Sequence, residues 1–171
     1  MHVKWIGLFA ALLFVAACTT ATDETATTGG EGGVSTGDTG TTEIAATDFA
    51  GPVPGSPEDF MVNVGNSIYF DLDKSVLRSD ARNTLDRQAE WLSRYPNKAI
   101  SVEGHCDERG TREYNLALAE RRAASVKSYL VALGVDGSRI RTISYGKERP
   151  YALGHNEAAW AQNRRGVTVV N

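Results

Sequence analysis

Cysteine is almost missing from this chain. Its 171 residues hold two, Cys18 and Cys106, so no multi-bridge disulfide framework can staple the fold, which must rest on its own core. Metal-ligand spacing is absent too: no second Cys or nearby His accompanies His105 and Cys106 at the intervals a structural zinc site needs. No Gly-rich phosphate loop and no internal repeat appears, which argues against nucleotide-binding and solenoid architectures. Basic runs interleaved with aromatics are lacking, so no nucleic-acid partner is expected. The longest apolar run, Trp5 to Ala17, is shorter than the ~20 residues of a comfortable membrane span. Positive charge is missing from a whole region: Cys18 to Glu58 carries seven acidic residues and no Lys or Arg, whereas Asp59 onward carries 14 acidic and 17 basic ones.

What is present at the N-terminus has a clear layout. Lys4, the run WIGLFAALLFVAA and then Cys18 form a positive region, a hydrophobic core and small residues before a cleavage point. That is the pattern of a bacterial export signal, with an uncleaved anchor helix as the alternative. VAAC reads as a lipobox, making residues 1–17 a signal peptide and Cys18 the lipidated first residue of the mature chain. Cys106 then has no partner. Residues 18–57 are rich in Thr, Gly and Ala, with Phe49 the only aromatic. Such a stretch buries too little apolar surface to offset its ordering entropy and reads as a flexible tether, although part of it as a partner-binding motif is an alternative. Its ~40 residues average roughly 35 Å of reach and exceed 100 Å when stretched. Pro52, Pro54 and Pro57 mark its end, and residues 58–171 form the folded domain.

Within that domain DFMVNV and SIYF read as short extended segments around Gly65-Asn66. FDLDKS is a polar turn, and Ser79 is a candidate N-cap. Ala81, Leu85, Ala89 and Leu92 form the buried side of a helix ended by Pro96 and Asn97. Ala99 to Glu103 alternates as a strand. A long helix from Thr111 stops at Gly134. Its apolar stripe is Leu116, Ala119, Ala123, Val126, Leu130 and Leu133. Asn115, Leu118 and Arg122 read as a second, separate face, since Leu118 sits about 200° round from Leu116. Arg139 to Tyr145 is a third strand, Glu157 to Asn163 a short helix and Gly166 to Val170 a closing strand. The pattern predicts an α+β domain, a sandwich of two long helices on one face of a mixed sheet of about four strands.

Three clusters carry chemistry: Asp71-Leu72-Asp73-Lys74, His105-Cys106-Asp107-Glu108-Arg109, and the helix face with Arg122. His105 and Cys106 are adjacent on an extended segment, so they point to opposite faces, which weakens a joint metal site. A Cys106 nucleophile with His155 as base would want an electropositive setting, and Asp107 and Glu108 make this one acidic. Paired-carboxylate hydrolysis by Asp73 and Asp107 would need one acid protonated, whereas Lys74, Arg109 and Arg122 favour both ionised. A solvated charged face with structural ion pairs is the plain alternative. The pattern also suits a zwitterion: Asp107 for an ammonium, Arg122 for a carboxylate through two parallel hydrogen bonds, Leu118 for an aliphatic stem.

The pieces YFDLDKS, VEGHCDERGTREYN, LAERRAASVKSYL, ISYGKERP and ALGHNEAAWAQNRR, covering roughly residues 62–171, resemble the OmpA-like peptidoglycan-binding domain family. The tail and the lipobox point to a lipid-anchored branch of it. The resemblance implies a non-enzymatic domain without cofactor or metal that grips the diaminopimelate of peptidoglycan stem peptides. It places the ligand contacts on Asp73, Asp107 and Arg122, with Leu118 and Asn115 alongside and Phe70, Asp71 and Leu72 in the same wall. Asn163, Arg164 and Arg165 are motif residues as well, the two arginines reading as structural. It further implies a lipid (palmitate) anchor in the outer membrane, a periplasm-facing domain, and partners in the Tol system, TolB among them, serving envelope integrity and cell division. Thr19, rather than Asp, follows Cys18, consistent with outer-membrane placement. A peptidoglycan-acting enzyme, a motility stator or a porin's wall-binding tail are the competing expectations. Cys106 departs from the family's usual Ala or Thr.

Overall fold

The computed structural model describes residues 51–171. The expected signal peptide, the expected lipidation at Cys18 and most of the expected tether lie outside the described residues. Ser56 accepts a hydrogen bond from the Asp59 backbone N–H at 3.0 Å and starts helix α1 (Pro57–Asp59), with Pro57 in the first turn. The chain continues as a π-helical turn, Phe60–Val64. DFMVNV is therefore helical, not extended as its composition suggested. The Asp59 carboxylate accepts from Gly55 N–H, Trp91 Nε1 and Asn63 Nδ2, each at 2.8 Å, so it holds the turn to the body of the domain. Phe60 packs edge-on against Trp91 at 4.9 Å.

Strand β1 (Ser67–Tyr69) is followed by helix α2 (Ser79–Arg94), strand β2 (Ile100–His105) and helix α3 (Arg112–Ala132). Strand β3 (Ile140–Gly146), helix α4 (Glu157–Asn163) and strand β4 (Arg165–Val170) complete the domain. The N-cap of α2 is Arg78, one residue earlier than expected, and no side chain caps it. Arg78 instead clasps the first-turn acid Asp80 through two hydrogen bonds, at 3.1 and 3.0 Å. Thr111 is the N-cap of α3, accepting from Tyr114 N–H. Gly134, at φ +96°, ends that helix as its position in the sequence requires.

The sheet order is β1-β4-β2-β3. β2 and β3 run parallel and every other pair antiparallel, because the β2–β3 connection is the α3 crossover that parallel strands need. Ala81, Leu85, Ala89 and Leu92 of α2 are buried as expected, against Ile100, Val102, Val126 and Leu130. Gln88 bridges the layers, donating to the Gly65 carbonyl at 2.7 Å and accepting from Thr168 Oγ1 at 2.8 Å.

The two-face reading of α3 is corrected. Leu116 is 50% and Leu133 41% exposed, whereas Asn115, Leu118, Ala119, Arg122, Ala123, Val126 and Leu130 are buried. Counted from Asn115 these positions fall at i, i+3, i+4, i+7, i+8, i+11 and i+15, the pattern of a single stripe. Its C-terminal half is apolar and enters the core. Its N-terminal half mixes Leu118 and Ala119 with the polar Asn115 and Arg122, whose side chains bond carbonyls of the β2–α3 turn, the end of β2 and the β1–α2 loop.

α3 sits so close to β2 that Gly104 is obligatory. A Cβ there would lie 1.9 Å from the Ala119 carbonyl oxygen, a backbone atom that cannot turn aside. Gly104→Ala is expected to destabilise the domain by at least about 3 kcal/mol, the upper end of ordinary overpacking. Urea unfolding of the two proteins checks this, with a midpoint near wild type as the contrary result.

Candidate ligand-binding cavity

A cavity of about 340 Å³ opens where the β1–α2 loop, the β2–α3 turn and the first turns of α3 meet. Three features of local sequence build it. A bulge at the end of β2 shifts the register, so that His105 pairs with Gly146 while Gly104 pairs with Ser144. Cys106 N–H then donates to the Gly146 carbonyl at 2.7 Å, turning the chain off the sheet. Gly110, at φ +85°, bends the turn back into Thr111 and α3. Asn115 latches turn to helix by donating to the carbonyls of Arg109 (2.7 Å) and Thr111 (3.0 Å).

Asp107 is 5% exposed and heavily engaged. Its Oδ1 accepts from Arg109 N–H (3.1 Å) and Nε (3.2 Å), and its Oδ2 from Arg109 Nη2 (2.7 Å) and Arg164 Nη1 (3.3 Å). Burial by itself pushes this carboxyl up, but the bonds from Arg109, that guanidinium's charge and the Arg164 bond outweigh it and hold the pKa below the usual range. Asp73 is different. It is exposed, adopts a left-handed backbone (φ +56°), and its carboxylate accepts from the Tyr114 hydroxyl.

Arg122 is 1% exposed. Its Nε donates to the Lys74 carbonyl (2.9 Å), Nη1 to the His105 carbonyl (2.7 Å) and to Cys106 Sγ (3.4 Å), and Nη2 to the Asp71 carbonyl (3.1 Å). The guanidinium lies 5.1 Å from the Phe70 ring. Burial lowers its pKa, and the neighbouring Cys106 and Asp107 work against that. The freely reaching fork expected from the sequence is thus not what the fold presents. Arg122 is fixed by backbone carbonyls, and Nη2 retains a second N–H without an acceptor among the described residues.

Of the residues singled out from the sequence, Leu72, Asp73, Asp107, Asn115, Leu118 and Arg122 line the cavity. Phe70 and Asp71 do not line it. Phe70 is buried behind Arg122 in the core, and Asp71 turns its side chain outward to Lys74 (3.8 Å) and Arg78 (3.6 Å) while its carbonyl serves Arg122. Arg109, Gly110, Tyr114, Cys106 and Arg164 also line it. Tyr114 had a signal in its spacing, one and two turns before Leu118 and Arg122. Arg164, read as structural, had none, because it arrives from 57 residues beyond Asp107. Three guanidiniums and two carboxylates therefore face one small space, a balance suited to an anionic or zwitterionic guest.

The rivals fare as follows. Among the described residues no group of three or more metal-ligating side chains is present. His105 is buried with neither ring nitrogen hydrogen-bonded among the described residues, stacks on Tyr145 at 5.4 Å, and is held at a pKa of about 4, chiefly by burial and then by the Arg165 charge. It does not line the cavity, as its neighbour Cys106 does. The Cys106 thiol is buried, donates to the Asn115 carbonyl at 3.4 Å, and burial raises its pKa, the reverse of an activated nucleophile. His155 is bound to Glu108 at 2.7 Å instead.

Residues 69–164 match the OmpA family. The chain belongs to the OmpA family. A peptidoglycan-associated lipoprotein of Rhizobium meliloti is 62% identical over 117 residues, 68% of this chain and 66% of that relative. The chain thus spans about two thirds of that relative's length. The crystal structure of the peptidoglycan-associated lipoprotein from Burkholderia pseudomallei superposes with a TM-score of 0.62 at 42% identity, covering 69% of this chain and 96% of that one. The C-terminal domain of Helicobacter pylori MotB shares the fold at 22% identity and a TM-score of 0.58, over 62% of this chain and 84% of that one. The OmpA-family resemblance read from the sequence is borne out, and the similarity extends to relatives named peptidoglycan-associated lipoprotein.

The depressed pKa of Asp107 has a measurable consequence. Its pairing adds stability that is fully present above the unfolded carboxylate pKa of about 3.9 and is lost as pH falls through the lower folded value. Urea unfolding from pH 6 to 2 should show Asp107→Asn less stable than wild type by a constant amount above about pH 5, with the gap shrinking below about pH 4. A gap that stays constant down to pH 2 would contradict the ion-pair account.

Proposed function

We propose that this chain is a lipid-anchored envelope protein that holds peptidoglycan non-covalently, its OmpA-family cavity receiving the zwitterionic end of diaminopimelate in a stem peptide. The chain is a binding protein and not an enzyme, in keeping with its family and with relatives bearing the name peptidoglycan-associated lipoprotein. The observation that carries the ligand reading is one cavity lined by both the buried guanidinium of Arg122 and the carboxylates of Asp73 and Asp107.

The roles follow from the bonding. The ligand carboxylate goes to the remaining N–H of Arg122, with Arg164 adding charge. The ammonium goes to Asp107. Arg109 gives way, since its side chain is partly exposed and already stacks on Trp160 at 4.1 Å and lies 3.9 Å from Glu157. Asp73 is the less committed acid and closes the other side, and Leu72 and Leu118 pack the aliphatic stem. The wider reading follows the same line: signal peptide, Cys18 lipidated, tether 18–57, outer-membrane attachment facing the periplasm, and work with TolB and the Tol system in envelope integrity and division. No helix among the described residues is long and apolar enough to cross a membrane.

Titration with a diaminopimelate tripeptide tests the site. Asp107→Asn should lose about 2–5 kcal/mol of binding, because an ammonium is left facing a neutral amide. Near-wild-type affinity in a folded variant would overturn the assignment. Incubated with purified cell wall, the protein should release no soluble fragments. Full alkylation of Cys106 with a bulky reagent should be slow, since the thiol is buried, and should weaken tripeptide binding. Unchanged affinity after complete modification would remove Cys106 from the wall of the site.

A further inference from the structure

The sheet face turned away from α2 and α3 gathers the unpartnered nitrogens of this domain. Among the described residues, the only buried side-chain nitrogens or oxygens without a hydrogen-bond partner are Nδ1 and Nε2 of His105 and Nη1 of Arg165. Strand alternation puts both residues on this face, where Tyr69 pairs with Arg165 and Val167 with Glu103. A cleft of about 520 Å³ opens there, lined by Arg165, Val167, Glu103, Met61, Tyr69 and Tyr151. Met61, Tyr69 and Tyr151 are exposed, so apolar and aromatic surface stands open around a cation. Arg165 itself is only 9% exposed, and its Nη2 donates to the Arg149 carbonyl at 3.3 Å. Among the described residues no carboxylate comes within ion-pair distance of it, since Glu103 lies 3.6 Å from His105 Nε2 instead. His105, with its pKa of about 4, adds no charge near neutral pH. Beyond it the Arg149 guanidinium rests on the Tyr145 ring at 3.9 Å. Two guanidiniums thus meet one carboxylate on this face, and a single further anion balances them.

We propose that this cleft is a second ligand site, separate from the Arg122 cavity, for a carboxylate joined to an aromatic or other apolar group: the carboxylate on Arg165 Nη1, the apolar body over Val167 between Met61, Tyr69 and Tyr151. A buried N–H without an acceptor is costly, and a charge-assisted bond to a carboxylate is among the strongest that relieves it. Water would satisfy the nitrogen but leave the apolar walls open, whereas an organic acid answers both. The cover over the guanidinium is the Tyr151 ring, 5.6 Å away. The Tyr151 backbone is pinned, its N–H donating to Asn163 Oδ1 at 2.7 Å, but the residue is 70% exposed. The ring therefore has room to turn about its own torsions and uncover Nη1 without the chain moving. Glu103 sets the limit on charge. Its carboxylate on the same face repels a second anionic group, so the cleft selects a monoanion over a polyanion.

Amide NMR of the isotope-labelled full chain in detergent micelles tests this, with para-hydroxyphenylacetate as the probe and its neutral amide as the control. The acid should shift the Tyr69 and Val167 amides and the Arg165 side-chain N–H, saturating with a Kd of order 1 mM. The amide should bind at least about ten-fold more weakly. Arg165→Gln should abolish the acid's preference, and the acid–amide comparison on the wild-type chain stays decisive where that variant fails to fold. The shifts should persist with the diaminopimelate tripeptide already present, so this site and the Arg122 cavity stand or fall separately. N-acetyltyrosine distinguishes the sources: tighter binding than the probe's, with the same acid preference, assigns the site to a polypeptide C-terminus, and weaker binding to a small free acid. Equal affinity of acid and amide overturns the proposal, as does an absence of shifts at these amides up to about 20 mM probe, roughly twenty times that Kd. Shifts confined to residues 107–110, or abolished by the tripeptide, overturn it as well by assigning the probe to the first cavity.

Discussion

The buried guanidinium of Arg122 is the constraint on which the rest of this domain turns. It sits in the third turn of α3 yet binds carbonyls of Asp71 and Lys74 in the β1–α2 loop and of His105 at the end of β2. Three pieces of chain distant in sequence are thereby held by one planar cation. Taking a charge out of water carries a large penalty, and bonds to several carbonyls in fixed geometry offset it. The outcome is a positive charge held in place at the back of a cavity before any ligand arrives, which is what pre-organised recognition of an anion requires.

Asp107 is the complementary case. It takes bonds from Arg109 beside it and Arg164 far along the chain, and Arg164 in turn donates to Glu157 at 2.6 Å. The cavity is thus closed by the far end of the domain, and α4 with β4 belongs to the site as much as the turn does. The central cations Arg122 and Arg164 are buried, whereas Arg109, Tyr114, Leu72 and Asp73 are partly or fully exposed.

Much of this was legible in the chain. The α2 stripe, the strands on either side of a long helix and the limits of α4 follow from apolar spacing, a stop at Gly134 and a polar turn. The misreadings have physical causes. DFMVNV looked extended because its apolar residues alternate, but Ser56 and Pro57 supply a helix start that outweighs the alternation, and Met61 and Val62 are simply exposed. Leu116 and Leu133 were placed on the buried stripe of α3 by hydrophobicity. The fold buries Asn115 and Arg122 instead, because neighbouring carbonyls await them there. Burial of a polar side chain depends on partners, and partners come from elsewhere in the chain.

Sequence alone determined the element order from β1 onward, the mixed sheet with its helical cover, and the presence of acids and arginines at one end of it. Those properties depend on residues near one another in the chain, through periodicity, caps and turns. Only the tertiary structure decided which charges are free and which are spent. It removed Phe70 and Asp71 from the cavity wall, brought Arg164 into it, and turned Arg122 from a reaching fork into a fixed brace. The reason is that a charged group's role is set by the atoms within a few ångströms, and these are contributed by strands, loops and helices tens of residues apart.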